Sequence, residues 1–250
     1  MRLLILSDIH ANLEALEACL SFAPEYDLLL NLGDSVGYGA SPAEVLKRLR
    51  PLGGVMVRGN HDKVVSGAGG MENFNPAAAT SVEWSRHQLA EPERRWLKRW
   101  PQGPVAVPGA ESIQLVHGSP LHEDGYISSH RAARQVFNAT TARITFFGHT
   151  HIQAGFGLGA GQIVEFSFPH KKKIPATHKV RFAKGMRYLI NPGSVGQPRD
   201  NDPRAAFAFF DTESDILSYH RVPYDIPLAQ TRIVSAGLPP HLAMRLAEGH

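Results

Sequence analysis

Five short apolar runs in this 250-residue chain each end in side chains that bind metal ions. The runs read "LLILS", "LLLNLG", "GVMVRG", "SIQLV" and "RITFFG". The residues that follow them are Asp8 and His10, Asp34, Asn60, His117, and His149 with His151. Ionisable groups are costly to bury unless something pairs with them, and a cation would compensate their burial. These seven side chains therefore predict a metal centre.

The elements that carry these residues alternate along the first 150 residues. Short apolar runs are followed by helical segments, a pattern that indicates an α/β sheet. Ligands of open α/β sheets bind at the carboxyl ends of the strands, so neighbouring strands would bring the seven side chains together. Each motif alone has a structural explanation, such as a turn at "GNHD" or a solvent-facing histidine in "GHTH". Their repetition at five strand ends favours the metal site.

The donor types indicate which metals would bind. Carboxylate, amide and imidazole groups without thiolate favour Mn, Fe, Zn or Ni, with Mn the first choice in vitro. Seven ligands are too many for one ion that must also bind water and substrate, so we expect two divalent ions. A carboxylate can use its two oxygens for two ions, and we assign Asp34 as the bridge. Such a site attracts phosphate oxygens and lowers the pKa of bound water from 15.7 to about 7.

The composition describes an ordinary globular protein, with 43% hydrophobic and 20% charged residues. The net charge of +3 suits an anionic substrate but is too small to indicate nucleic-acid binding. The single cysteine, Cys19, excludes an intrachain disulfide and reads as a core residue. No apolar run approaches the length of a membrane span, so we expect a cytoplasmic protein without membrane partners. The sequence predicts no oligomeric state.

Taken in order, these motifs resemble those of the calcineurin-like metallophosphoesterase superfamily. They are Asp8-x-His10, Gly33-Asp34, Gly59-Asn60-His61-Asp62, His117-Gly118 and Gly148-His149-x-His151. The later "NPGSVGQPRD" (Asn191–Asp200) is similar to a stretch of its small bacterial and archaeal members. The resemblance implies a four-layer α/β/β/α sandwich of two mixed β-sheets flanked by helices, with a dinuclear metal centre.

The resemblance also implies a role for each motif residue. Asp8, His10 and His151 would bind the first ion, Asn60, His117 and His149 the second, with Asp34 between them. His61 would protonate the leaving oxygen or stabilise charge on the phosphoryl group, oriented by Asp62 or by a backbone group. General acid help of that kind is typically worth ~10²–10⁴ in rate.

The chain departs from better-known branches after Asp34. Protein phosphatases and symmetrical dinucleoside tetraphosphatases carry an Asp-Arg-Gly turn where this sequence has Gly37-Tyr38-Gly39. Tyr38 would bind a substrate or pack on the glycine turn, and Arg199 would bind phosphate as a bidentate guanidinium. The run Lys171-Lys172-Lys173 is a solvated loop or a basic rim, and His122 has no assigned role. The sequence places the substrate-selecting loops around Tyr38, 67–75, 122–126 and 168–179.

The remaining segments complete one predicted domain, 1–250. Two helices are expected as an insertion at about 75–100, one helix follows Ser128 or Ser129, and a last helix lies near Pro240–Ala247. Short strands at about 153–222 are assigned to the second sheet.

The expected function is a dinuclear metal-dependent phosphohydrolase that cleaves phosphoester or phosphoanhydride bonds by attack of metal-bound hydroxide. A phosphorylated small molecule or nucleotide, such as a dinucleoside polyphosphate, is the favoured substrate. The alternatives are a generic phosphodiesterase or phosphomonoesterase, including a protein phosphatase, a non-catalytic binding scaffold and a nuclease. Because all ligands and His61 are present and no stacking platform is apparent, the scaffold and the nuclease are disfavoured.

Overall fold

A computed structural model describes residues 1–72, 74–166 and 176–250 of the chain. It contains two six-stranded mixed sheets. The first sheet has the order β3-β2-β1-β11-β12-β9. Its strands are β1 (Arg2–Leu6), β2 (Leu28–Asn31), β3 (Val55–Met56), β9 (Ala176–Arg181), β11 (Ala205–Asp211) and β12 (Ile216–Val222). The strands β1, β2 and β3 are parallel, and the other three pair antiparallel.

The second sheet has the order β4-β5-β6-β10-β7-β8. Its strands are β4 (Val105–Val107), β5 (Ala110–Leu115), β6 (Ile144–Phe146), β7 (Gln153–Gly159), β8 (Gln162–Phe166) and β10 (Arg187–Pro192). The strands β5, β6 and β10 are parallel, while β4, β7 and β8 pair antiparallel with their neighbours.

The alternation of side chains along β1 explains how the layers form. Leu3 and Ile5 face the second sheet and pack in a core with Phe146, Ile190 and other residues of both sheets. Leu4 and Leu6 point the other way and pack against helices. Because successive side chains of a strand point to opposite faces, a strand buried on both faces reads as a continuous apolar run.

Eight helices cover the outer faces and the ends of the sheets in the described part of the chain. They are α1 (Leu13–Phe22), α2 (Pro42–Leu49), α3 (Asn60–Val65), α4 (Pro76–Gln88), α5 (Glu91–Lys98), α6 (His130–Ala139), α7 (Ile226–Ser235) and α8 (Pro240–Glu248). Side chains of α1, α2, α4 and α5 pack on the first sheet, and those of α6 pack on the second. The fold is therefore the expected four-layer sandwich. None of these helices is long and apolar enough to cross a membrane.

The predicted elements are mostly present, but their sheet partners differ. Helices α4 and α5 occupy 75–100, and α6 begins after Ser129, whose side chain accepts the Ala132 N–H. The assignment of all strands at 153–222 to the second sheet is wrong for β9, β11 and β12. These strands extend the first sheet because β11 pairs antiparallel with β1, Leu4 lying opposite Phe209.

Two further features were not anticipated or are not described. Helix α7, which precedes the expected α8, was missed because its moderately apolar sequence contains a proline at its start. The basic run Lys171–Lys173 lies outside the described residues.

Candidate active site

The predicted metal ligands meet at one edge of the sandwich. Asp8 and His10 follow β1, Asp34 follows β2, and Asn60 follows β3 by a short loop. The other ligands follow strands of the second sheet: His117 after β5, and His149 and His151 between β6 and β7. The sequence treated all five strands as neighbours in one sheet. The site instead lies where the ends of two packed sheets face each other.

The first group of donors is formed by Asp8, His10, Asp34 and His151, whose candidate ligand atoms lie within 4.8 Å of one another. His151 Nε2 is 3.3 Å from Asp8 Oδ1, and His10 Nε2 is 3.7 Å from Asp34 Oδ2. All four side chains are buried. The group has the size and the donor types of a metal site.

The second group contains Asp34, His117 and His149, again within 4.8 Å. His117 Nε2 lies 3.0 Å from His149 Nδ1, 3.1 Å from Asn60 Oδ1 and 3.4 Å from Asp34 Oδ2. Asp34 thus belongs to both groups. It faces both through Oδ2, because Oδ1 accepts the His61 N–H at 2.8 Å. Asp34 would therefore contact both ions through Oδ2 alone, where the sequence analysis expected both of its oxygens to take part.

The histidine rings of the first group are oriented to present lone pairs to a cation. His10 Nδ1 lies 3.2 Å from the Val36 carbonyl, and His151 Nδ1 lies 2.6 Å from the Gln197 carbonyl. A carbonyl only accepts, so each Nδ1 carries the proton and each neutral Nε2 carries a lone pair. These two Nε2 atoms are 3.1 Å apart, which is unfavourable unless a cation lies between or beside them.

Further contacts support the same interpretation. His117 Nδ1 donates to the Leu32 carbonyl at 2.9 Å, which directs Nε2 toward the second group. Asp8 Oδ2 accepts from the Ser7 hydroxyl at 2.6 Å and from the His149 N–H at 3.2 Å. The buried Asp8 Oδ1 has no hydrogen-bond donor and faces the first group. An orphaned carboxylate oxygen beside two histidine lone pairs fits a divalent metal ion.

Burial controls the protonation of the donors. It lowers the pKa of His10 and His151 well below the usual value, and together with His117 it lowers that of His149 to about 3. These three rings are neutral at pH 7, as ligation requires. Burial would raise the pKa of Asp34, but His117 and its other histidine neighbours hold it well below its usual range. Asp34 is therefore ionised.

The backbone is strained at the same residues. Five predicted ligands adopt positive φ, a conformation that non-glycine residues seldom adopt. They are Asp8 (53°), His10 (48°), Asp34 (54°), His149 (67°) and His151 (61°). Such strain persists only where surrounding structure enforces it, and it concentrates at functional sites.

Comparison with known proteins gives the family. The model of the calcineurin-like phosphoesterase superfamily domain matches residues 1–215. The chain belongs to this superfamily. It is therefore a hydrolase of phosphate esters, and its two buried donor groups could hold metal ions.

Relatives of this phosphoesterase extend over its whole length. The uncharacterized protein MJ0912 of Methanocaldococcus jannaschii is 32% identical over 98% of this chain and 97% of its own. A metallophosphoesterase structure from Sphaerobacter thermophilus is 38% identical, with a TM-score of 0.84, over 100% of this chain and 99% of that one. The hypothetical protein PH1004 of Pyrococcus horikoshii, 19% identical, shares the fold with a TM-score of 0.78 over 100% and 98%.

In the phosphoesterase site, His61 and Asp62 have different positions. The His61 ring lines an open cleft of about 590 Å³ beside the donor groups, together with Asn60. Burial lowers the pKa of His61 to about 4. Asp62 accepts backbone N–H groups of Asp34, Ser35, Val36 and Gly59, at 2.8–3.3 Å. Of the two expected ways to orient the His61 ring, the one through Asp62 is wrong, because both Asp62 oxygens accept backbone N–H groups around Asp34. Orientation by a backbone group stays a prediction.

The tentative substrate residues lie at the same cleft. Tyr38 and Arg199 both line it, and an Arg199 amino group lies 3.4 Å from the Tyr38 hydroxyl. The Tyr38 ring is only 7% exposed and packs 4.5 Å from His61 and 4.6 Å from His10 between ring centroids. Tyr38 therefore packs against two histidines of the site and also lines the cleft, and substrate binding by Tyr38 stays a prediction.

A buttressing loop behind the first donor group was missed by the sequence analysis. The Ser194 hydroxyl donates to the Asp8 carbonyl at 2.7 Å and accepts the Gln197 N–H at 2.8 Å. The Gln197 carbonyl in turn accepts a hydrogen bond from His151 Nδ1. The signal was present in "NPGSVGQPRD", but the sequence does not show that these polar residues contact Asp8 and His151.

Three cleft residues were also missed as individuals: Phe74, Tyr126 and Arg245. Phe74 and Tyr126 lie in loops 67–75 and 122–126, which the sequence analysis named as substrate-selecting. Arg245 lies on α8, far along the chain, and no sequence signal marks it. His122 is an exposed turn residue whose Nδ1 accepts the Asp124 N–H.

Proposed function

We propose that this chain is a two-metal phosphohydrolase that cleaves a nucleotide-type substrate, such as a dinucleoside polyphosphate. The observation that carries this proposal is the position of Asp34 Oδ2, which faces His10 at 3.7 Å and His117 at 3.4 Å. One carboxylate oxygen between two sets of histidines is suited to two ions and exceeds what one ion needs.

The candidate ligands form two sets, one for each ion. Asp8, His10 and His151 would hold one ion and Asn60, His117 and His149 the other, with Asp34 shared between the two sets. Divalent ions such as Mn²⁺, or alternatively Fe, Zn or Ni, supply charge for phosphate oxygens and the acidity that makes water a nucleophile near neutral pH. The carbonyls of Val36, Gln197 and Leu32 fix the histidine rings in the ligating tautomer.

In this proposal His61 acts on the substrate. Its backbone N–H holds Asp34 Oδ1, while its ring lines the cleft next to Asn60. A neutral ring at this position donates a hydrogen bond to a phosphoryl oxygen or to the leaving oxygen. Arg199 adds a guanidinium, a group that binds phosphate in bidentate fashion.

The walls of the cleft favour a substrate with an aromatic part. Tyr126 is 56% exposed and stacks on the His149 ring, with centroids 4.2 Å apart and an interplanar angle of 28°. Phe74 lies across the cleft, 4.9 Å from the His61 ring. Aromatic faces beside a phosphate site suit a nucleotide base, which stacks on them.

The test is hydrolysis by metal-loaded protein, combined with metal counting. With Mn²⁺ we expect turnover of aryl phosphate mono- and diesters and of diadenosine tetraphosphate, and two ions per chain by elemental analysis. Asp34→Asn should lower kcat/KM by at least about 10³ and reduce bound metal. His61→Ala should lower kcat by about 10²–10⁴ with metal retained.

Two control variants remove a carboxylate and an imidazole at exposed positions outside the site. Asp27→Asn changes an exposed carboxylate and His87→Ala an exposed histidine of α4, so both should leave activity and metal content unchanged. Zero turnover with every metal would overturn the proposal, as would full activity of Asp34→Asn. Faster cleavage of phosphopeptides or of single-stranded DNA than of nucleotides would refute the substrate class alone.

A further inference from the structure

Two arginines converge on the ring of Tyr38 at one side of the cleft. Arg199 comes from the loop after β10 and Arg245 from α8, and their Cζ atoms lie 5.8 Å and 5.7 Å from the Tyr38 ring centroid. Both side chains line the cleft that contains Asn60 and His61. Arg245 thus lines the same cleft as Asn60 and His61, although it comes from a helix near the end of the chain.

These two cations have only neutral side-chain partners. Arg199 donates to the Tyr38 hydroxyl at 3.4 Å and to Gln197 Oε1 at 3.2 Å, and its buried Nε has no partner. Arg245 Nε donates to the backbone oxygen of His250. Within the described ranges, neither arginine forms an ion pair with an Asp or Glu side chain.

Two half-buried positive charges that line one cleft and contact the same ring repel each other. Burial and the charge of Arg199 lower the pKa of Arg245, which expresses this cost. A carboxylate partner would relieve this cost, and an anion entering the cleft would do the same. The pair is therefore arranged for a ligand with negative charge.

The two arginines are at different depths. The Arg199 backbone N–H donates to the His151 carbonyl at 3.2 Å, so Arg199 lies next to the first donor group. Arg245 instead contacts the Tyr38 ring and an oxygen of His250, near the end of α8. We therefore take Arg245 as the outer member of the pair.

We propose that Arg199 and Arg245 form a second anion subsite, which binds a phosphate adjacent to the one that is cleaved. The substrate class is then a compound with at least two phosphoryl groups in series, such as a nucleoside or dinucleoside polyphosphate. This inference rests on the proposed function for the position of the first phosphate. No bond is made or broken at the second subsite. It binds the adjacent phosphate and so fixes the position of the substrate along the cleft.

Calorimetric binding of two non-hydrolysable probes tests the subsite. Methylphosphonate carries one phosphoryl group and methylenediphosphonate carries two, and both are titrated into protein with Mn²⁺ in excess. We expect the diphosphonate to bind wild-type protein at least about 10-fold more tightly, since hydrogen bonds to charged groups are worth about that much or more. Arg245→Gln should abolish most of this preference, and Arg245→Lys should keep part of it.

The control is Arg131→Gln, which removes an exposed arginine of α6 and should leave both affinities unchanged. Melting temperatures and metal content of all variants establish that folding and the metal centre are intact. Equal weakening of both probes in Arg245→Gln, or no weakening, would overturn the subsite. A wild-type protein that prefers the diphosphonate but hydrolyses nothing would refute the proposed function and retain the subsite. Turnover without any preference for the diphosphonate would refute the subsite and retain the proposed function.

Discussion

Asp62 is a carboxylate that supports the site without facing the substrate. Its two oxygens accept four backbone N–H groups, two of them from Asp34 and Ser35. The family resemblance implied that Asp62 or a backbone group orients His61. Both residues lie in the first turn of α3, where Asp62 contacts the Asp34 loop while His61 lines the cleft.

At the residue scale, Asp62→Asn should destabilise the protein. The amide has one acceptor and places an NH₂ group against backbone donors, so buried N–H groups lose their partners at about 1–3 kcal/mol. Urea unfolding of the metal-free variant measures this loss, and elemental analysis should show less bound Mn²⁺ than wild type. Asp27→Asn, which affects an exposed ion pair, should change stability by less than about 1 kcal/mol. Equal stability of Asp62→Asn and wild type would contradict the assigned role.

At the scale of elements, individual strands and helices were predictable, and their partners were not. The strands β11 and β12 appeared as apolar segments in the sequence, with no signal that β11 pairs with β1. Their outer face packs on α1, where His220 of β12 stacks on Phe207 of β11 at 4.6 Å and lies 5.7 Å from Phe22. A histidine in an aromatic layer is a consequence of this pairing.

This layer predicts a pH dependence of stability. Burial, with a contribution from Lys179, lowers the pKa of His220 from 6.5 to about 4. The unfolded chain therefore binds a proton that the folded chain rejects between these values, and stability falls as pH decreases through that window. The shift corresponds to about 3 kcal/mol. In His220→Phe this contribution disappears.

Urea unfolding of metal-free wild type and His220→Phe between pH 7 and pH 4 measures the effect. As the pH falls across this range, the unfolding free energy of wild type should decrease more than that of His220→Phe. Parallel pH profiles of the two proteins would refute the contribution of His220.

At the scale of the molecule, the candidate metal ligands come from both sheets. Asp8, His10, Asp34 and Asn60 follow strands of the first sheet, and the remaining ligands follow strands of the second. Metal binding should therefore stabilise the whole sandwich. The organisation as a single domain, like cytoplasmic localisation, stays a prediction.

Metal removal tests this connection. Addition of Mn²⁺ at 100 times its Kd should stabilise wild type by about 2.7 kcal/mol per ion, because only the folded chain presents the assembled site. Differential scanning fluorimetry with and without chelator should show one cooperative transition that shifts upward with Mn²⁺. Asp34→Asn, which removes charge shared by both donor groups, should lose most of the shift. The same rise in Asp34→Asn and wild type would contradict a shared ligand.

The sequence by itself identified the family and predicted the seven candidate metal ligands, because each candidate follows a recognisable strand end in a fixed motif. Local patterns also determined most strands and helices, since periodicity and capping depend on neighbouring residues. Only the tertiary structure decided that β9, β11 and β12 complete the first sheet and that Asp62 holds a backbone loop. It also decided that Arg245 meets Arg199 over Tyr38. These relations join residues far apart in the chain, and they depend on which faces pack together, a property that no local pattern encodes.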